Sequence, residues 1–161
     1  MTDAQFFSYL DQSQDDYDST LSAANPDLSG FHTSGGKMIS WQGFADEAIP
    51  PNGTVAFYQQ VLELDPDAQS YMRLFQAPGV GHCFGGSGPI PNGAFDQLVS
   101  WVEDDVFPET LTAVDASGNT RDLYARPLQQ VYVGGNITDP KSFNCTHAKY
   151  ASLAAEFPFY N

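Results

Sequence analysis

The sequence predicts an α/β fold in which parallel strands are joined by crossover helices, and three observations carry that prediction. Two short apolar runs, at 37–41 and 71–77, each lie between turn signals rich in glycine or proline, which suits buried strands. Each run leads through a loop into a segment whose apolar residues recur at helical spacing. The order strand, loop, helix, repeated twice, is the grammar of a parallel sheet. With 161 residues, 42% of them hydrophobic and 14% aromatic, the chain suffices for one domain with a real core.

Taken in order, the first thirty residues are acidic and weakly patterned. Phe6, Tyr9 and Leu10 share one face of a short helix, followed by Asp11, Asp15, Asp16 and Asp18. Those aspartates lack the central glycine and terminal glutamate of a calcium loop, so the segment reads as a solvated linker. Asn25-Pro26-Asp27 signals a turn. The first strand, Lys37-Met38-Ile39-Ser40-Trp41, opens into a loop containing Asp46 and the stiff pair Pro50-Pro51. Either Asn52 or Thr54 then caps a helix with the apolar face Val55, Tyr58, Val61 and Leu62, ended before Pro66. The second strand stops at Pro78-Gly79, and a glycine-rich loop carries His82 and Cys83. The most regular helix follows. Its stripe of Phe95, Leu98, Val99, Val102 and Val106 predicts a buried face, and Pro108 closes it. Residues 109–145 read as a hairpin-like excursion with turns at 117–119 and 134–136.

Charge narrows the function. Six basic against 20 acidic residues give a net charge of −14, a surface that repels phosphate backbones and anionic lipid. Nucleic-acid and membrane partners are therefore not expected. No stretch approaches the ~20 apolar residues of a membrane-spanning helix. The amino end has no basic region followed by an apolar core, the mark of a signal peptide. Yet three glycosylation sequons begin at Asn52, Asn136 and Asn144. Together with the acidity they lean toward secretion, which would make this sequence a piece of a longer protein. Two cysteines, Cys83 and Cys145, are too few for a disulfide scaffold; they could pair with each other or with partners elsewhere.

In open α/β sheets chemistry collects at the carboxyl ends of strands. Here Asp46 follows the first strand and His82 the second. An acid and then a histidine is the closing half of the α/β-hydrolase order of nucleophile, acid and histidine. The histidine must lift a proton from a hydroxyl, and a carboxylate must fix its tautomer and stabilise the imidazolium. The plainer readings are that Asp46 is a turn or cap residue and that His82 is an exposed loop residue. His32 and His147 have no ligand-spaced partners, so no metal site is expected. No Gly-x-Ser-x-Gly elbow occurs, and Ser34 and Ser87 read as loop serines, so the nucleophile is absent from this stretch.

The segments at 25–31, 35–39, 43–51 and 78–83, among them Gly43-Phe44-Ala45-Asp46-Glu47-Ala48-Ile49-Pro50-Pro51 and Pro78-Gly79-Val80-Gly81-His82-Cys83, together resemble the tannase and feruloyl esterase family. Those are secreted, largely fungal serine esterases of α/β-hydrolase fold. The resemblance runs from about residue 25 to Cys145 and covers only the carboxyl-terminal part of the family's length. It implies that Asp46 is the triad acid and His82 the triad histidine. It further implies that Cys83 bonds to a cysteine just before the nucleophilic serine, in the upstream part. Two departures stand out. Trp41-Gln42 replaces the family's frequent Tyr-His, and Tyr124 replaces a cysteine that would bond the one matching Cys145, whose partner is thus open.

The resulting expectation is the carboxyl-terminal half of an α/β-hydrolase fold, incomplete without the upstream chain. Residues 1–24 are the tail of a lid or linker region, 25–145 the later part of the catalytic domain, and 146–161 a carboxyl-terminal tail. The expected activity is cleavage of phenolic-acid esters, either galloyl esters of tannins or feruloyl esters on plant polysaccharides. This chain would supply aspartate and histidine only and be inactive alone. It carries no cofactor; the family's structural calcium belongs to the lid upstream. Its partners are the phenolic ester and the amino-terminal part of the same protein. A different reading is a non-catalytic acidic module or processed subunit that keeps the fold without the activity.

Overall fold

The computed structural model describes residues 1–147. A 19-residue helix, α1 (Asp3–Leu21), opens the chain, and it corrects the linker reading of the acidic stretch. A reciprocal cap starts it: the Thr2 hydroxyl accepts from the Gln5 N–H, and the Gln5 side chain accepts from the Thr2 N–H. Asp11, Asp15, Asp16 and Asp18 ride on this helix, exposed, and α1 buries none of its residues. A single turn, α2 (Ser29–Thr33), leads into the sheet.

Strands β1 (Met38–Gly43) and β2 (Met72–Ala77) pair in parallel, with Met38 opposite Met72 and Gly43 opposite Ala77. Helix α3 (Pro51–Leu64) makes the crossover between them. Every residue of β2 is buried, as a strand covered on both faces requires. By contrast β1 is mostly half-buried, because among the described residues it pairs with β2 alone. The expectation of a fully buried first strand is corrected accordingly.

Side-chain alternation divides the core into two layers. Met72 and Leu74 point toward α3 and pack with Tyr58, Val61, Ala68 and Tyr71. Phe75 and Ala77 point the other way, onto Val80, Leu111, Ala113, Leu123 and Ala125. That second layer is built by the excursion, which is more ordered than a simple hairpin. A three-stranded antiparallel sheet joins β3 (Ile90–Pro91), β4 (Thr110–Val114) and β5 (Thr120–Tyr124). Its end docks on the free side of β2, where Phe75 bridges Ala125 and the Arg126 N–H donates to the Leu74 carbonyl at 2.8 Å. A ribbon of β6 (Leu128–Tyr132) and β7 (Phe143–His147) completes the fold. The Gln130 side chain ties it to the Asp122 carbonyl, and Arg121 stacks over Phe143. Thr146 and His147 thus belong to a strand rather than a tail, and 148–161 lie outside the described residues.

Two helix expectations are also corrected. Helix α3 begins at Pro51, whose fixed φ and absent N–H suit the first turn, and neither Asn52 nor Thr54 caps it. Helix α4 (Ala94–Asp104) ends before Val106, because Asp105 turns left-handed and the Val106 N–H closes back on the Ser100 carbonyl. It buries Trp101, while Phe95 and Val102 on its apolar stripe are 75% and 59% exposed.

Candidate active site

The carboxyl ends of β1 and β2 are stitched together by main chain. The Phe44 N–H donates to the Ala77 carbonyl at 3.0 Å, and the Ala45 N–H to the Val80 carbonyl at 2.9 Å. This approach needs Gly43, since a Cβ there would meet the Val80 and Gly81 carbonyl oxygens at 2.5 and 2.6 Å. The loop after β1 and the loop after β2 therefore leave the sheet side by side.

Asp46 sits in a tight turn of the first loop. Its Oδ1 accepts from the Ala48 N–H at 2.9 Å and the Ile49 N–H at 2.8 Å. Its Oδ2 accepts from Gln42 Nε2 at 2.8 Å and lies 3.2 Å from His82 Nδ1. Those donors, the Ile49 N–H foremost, hold the carboxyl down at about 2, against the desolvation that opposes them. A carboxylate accepts only, so the Nδ1 facing it carries the proton and Nε2 is left as the basic nitrogen. The Asp46 side chain is 4% exposed and the His82 side chain 47%: the acid is covered and the base is open.

Glu47, next to the acid, takes the other end of the histidine. Its Oε2 accepts the His82 backbone N–H at 3.3 Å. Two adjacent residues thus hold His82, one by its ring and one by its main chain. Trp41, Gln42, Gly43, Asp46, Ile49, His82 and Cys83 line an open hollow of ≈ 190 Å³. Cys83 adopts φ 58, a left-handed conformation rare for a side chain with Cβ.

The structure brings Asp46, His82 and Cys83 together and leaves the remaining candidates elsewhere. Cys83 and Cys145 are not bonded to each other. Cys145 lies on β7 opposite Gln130, which shares a small cavity with Tyr124. Asn52, Asn136 and Asn144 are all exposed. Asn136 Oδ1 accepts from both the N–H and the hydroxyl of Thr138 within its own sequon. His32 stacks on Tyr71 with ring centroids 4.1 Å apart, and His147 lies on β7. The Ser34 hydroxyl closes α2 by donating to the Phe31 carbonyl, and the Ser87 N–H donates to the Gly79 carbonyl. Sequence reasoning missed Gln42, Glu47 and Gly43. Gly43 and Glu47 lie in the segment that carries the family resemblance and Gln42 in one of its departures, but no local pattern gave them these contacts.

Comparison with known proteins extends the resemblance toward the amino end, from about residue 25 to residue 4, and ends it at the same place. The family model described as tannase and feruloyl esterase matches residues 4–146. A probable feruloyl esterase of Arthroderma benhamiae is 42% identical over 145 residues, covering 83% of this chain and 27% of that protein. A mono(2-hydroxyethyl) terephthalate hydrolase of Piscinibacter sakaiensis is 33% identical, covering 76% of this chain and 22% of that protein. Among solved structures, the tannin acyl hydrolase of Aspergillus niger superposes with a TM-score of 0.74 at 28% identity, covering 85% of this chain and 27% of that one. The chain spans under a third of the length of these relatives.

Proposed function

Because this chain belongs to the tannase and feruloyl esterase family, we propose that it is the carboxyl-terminal part of a serine carboxylic ester hydrolase acting on phenolic-acid esters. One observation carries the reading: an ionised, covered carboxylate stands 3.2 Å from the Nδ1 of an open histidine, at the joined ends of two parallel strands. That arrangement is an acid–base pair in want of a nucleophile. Residues 25–145 supply the later part of an α/β-hydrolase domain, and 1–24 the approach from its lid.

In the reaction, a serine from the upstream part attacks the ester carbonyl while His82 Nε2 takes its proton. Asp46 holds the resulting imidazolium, and His82 returns the proton to the leaving alcohol. Water then attacks the acyl-enzyme by the same route in reverse. The substrates are galloyl esters of tannins or feruloyl esters of plant polysaccharides, reached outside the cell. Cys83, beside the histidine, bonds the upstream segment that carries the serine. Asn52, Asn136 and Asn144 take glycans, for which their exposure leaves room.

The test is hydrolysis of methyl gallate and methyl ferulate by the full-length parent, by its His82→Ala and Asp46→Asn variants, and by the present chain alone. The parent turns over at least one ester, Asp46→Asn loses about 10⁴ and His82→Ala about 10⁶ of kcat, and the chain alone is silent. Turnover that survives His82→Ala would sink the assignment.

A further inference from the structure

Asp46 does not meet His82 alone. Its Oδ2 is shared between His82 Nδ1 and Gln42 Nε2, and the amide contact is the shorter, 2.8 against 3.2 Å. The same Nε2 also reaches the Gly43 carbonyl at 3.4 Å. On the other side of the amide, Oε1 accepts the Thr54 hydroxyl at 3.0 Å. The amide's orientation follows from this: a carboxylate accepts only, so nitrogen must face Asp46 and oxygen must face Thr54. Thr54 stands on the first turn of α3 and Gln42 near the end of β1. The chain of bonds therefore spans the whole loop that carries the acid.

We infer that Gln42 and Thr54 form a positioning relay that fixes the Asp46 carboxylate and, through it, the ring of His82. The inference deepens the esterase reading above and rests on it. Asp46's own turn holds Oδ1 through two N–H groups, which leaves Oδ2 as the oxygen whose direction must be set. Gln42 sets it, and Thr54 keeps Gln42 from swinging away. Neither residue touches the reacting atoms. The relay also gives the Asn52-Gly53-Thr54 sequon a second meaning, since its hydroxyl is committed inward.

The experiment uses the full-length parent, carrying Gln42→Leu, Thr54→Val, Thr54→Ser and Asn52→Gln in turn. Two readouts are taken: kcat and KM on methyl ferulate and methyl gallate, and the Nδ1–H to Nε2–H tautomer ratio of His82 from long-range 1H–15N spectra in alkaline buffer. Gln42→Leu is expected to lower kcat by roughly ten- to a hundredfold with KM little changed. That is well short of the ~10⁴ lost when the tautomer-fixing carboxylate itself is neutralised. Thr54→Val lowers kcat several-fold, and both variants lower the tautomer ratio. Thr54→Ser, which keeps the hydroxyl, recovers the ratio that Thr54→Val loses. Asn52→Gln removes the sequon without the hydroxyl and leaves the ratio in place, separating glycan from relay. Tautomer ratios that stay at the parent value in Gln42→Leu and Thr54→Val would overturn the relay, as would a Thr54→Ser variant no better than Thr54→Val. Should Gln42→Leu not fold, Thr54→Val against Thr54→Ser decides alone. A parent that hydrolyses neither ester refutes the esterase reading instead, and the tautomer ratio still judges the relay.

Discussion

The two flanks of the parallel pair are finished to different degrees. On the β2 side the chain folds back on itself. The antiparallel excursion bridges Phe75, hydrogen-bonds Leu74 and buries Leu111, Ala113, Leu123 and Ala125 to zero or near-zero exposure. On the β1 side the outer strand edge has no partner among the described residues, and the α4 stripe stands open at Phe95 and Val102. The contrast teaches that apolar periodicity reports an intention to be covered, not the identity of the cover. A stripe at helical spacing becomes core only where another element reaches it.

The largest expected difference lies in the core. Phe75→Ala, on the closed flank, should cost about 3–5 kcal/mol of stability in urea unfolding, the usual range for emptying a buried aromatic site. A loss below about 1 kcal/mol would mean that the excursion is not packed as described. Next comes the seam between the flanks. Gly43→Ala forces a methyl against two backbone carbonyls and should cost about 1–3 kcal/mol. It should also lengthen the Asp46–His82 contact, seen as a lower His82 Nδ1–H tautomer fraction. An unchanged tautomer ratio together with unchanged stability would show that the seam is slack.

A subtler difference concerns acid. The Asp46 carboxyl is held at about 2 in the folded chain, below its ordinary value near 4. A lowered folded value means stability that is complete above about pH 4 and lost as pH falls from there toward 2. Asp46→Asn should therefore flatten acid unfolding in that window, followed by circular dichroism, while leaving the slope at higher pH alone. The smallest effect is expected on the open flank. Phe95→Ser and Val102→Ser should change stability by no more than about 0.5 kcal/mol and should reduce self-association of the isolated chain in sedimentation. Losses matching that of Phe75→Ala would erase the contrast between the flanks.

These flanks also explain what the sequence could and could not tell. Both parallel strands, the crossover helix with Val55, Tyr58 and Val61 inward, and the existence of α4 were legible, because each depends on local pattern and on contacts close in sequence. The open stripe of α4 was not, since its spacing is that of a covered helix whether or not the cover is present. Nor was the length of α1 legible. Its four aspartates suggested a linker, although Thr2 and Gln5 carried a readable capping box. In the site, the positions of Asp46 and His82 after their strands followed from the order of elements. The contributions of Gln42, Glu47 and Thr54 depend on side chains meeting across loops, at separations that no periodicity encodes.

The main-chain stitch between the two loops bears on how such a site could diversify. Phe44 and Ala45 meet the β2 loop through their N–H groups, and the receiving atoms are carbonyls of Ala77 and Val80. A bond between peptide groups is indifferent to which side chains hang from them. Provided Gly43 stays, the exposed residues at 44 and 45 can be exchanged while the acid and the histidine keep their separation. The lining of the hollow at Trp41 and Ile49 could then change without disturbing the contact between Asp46 and His82.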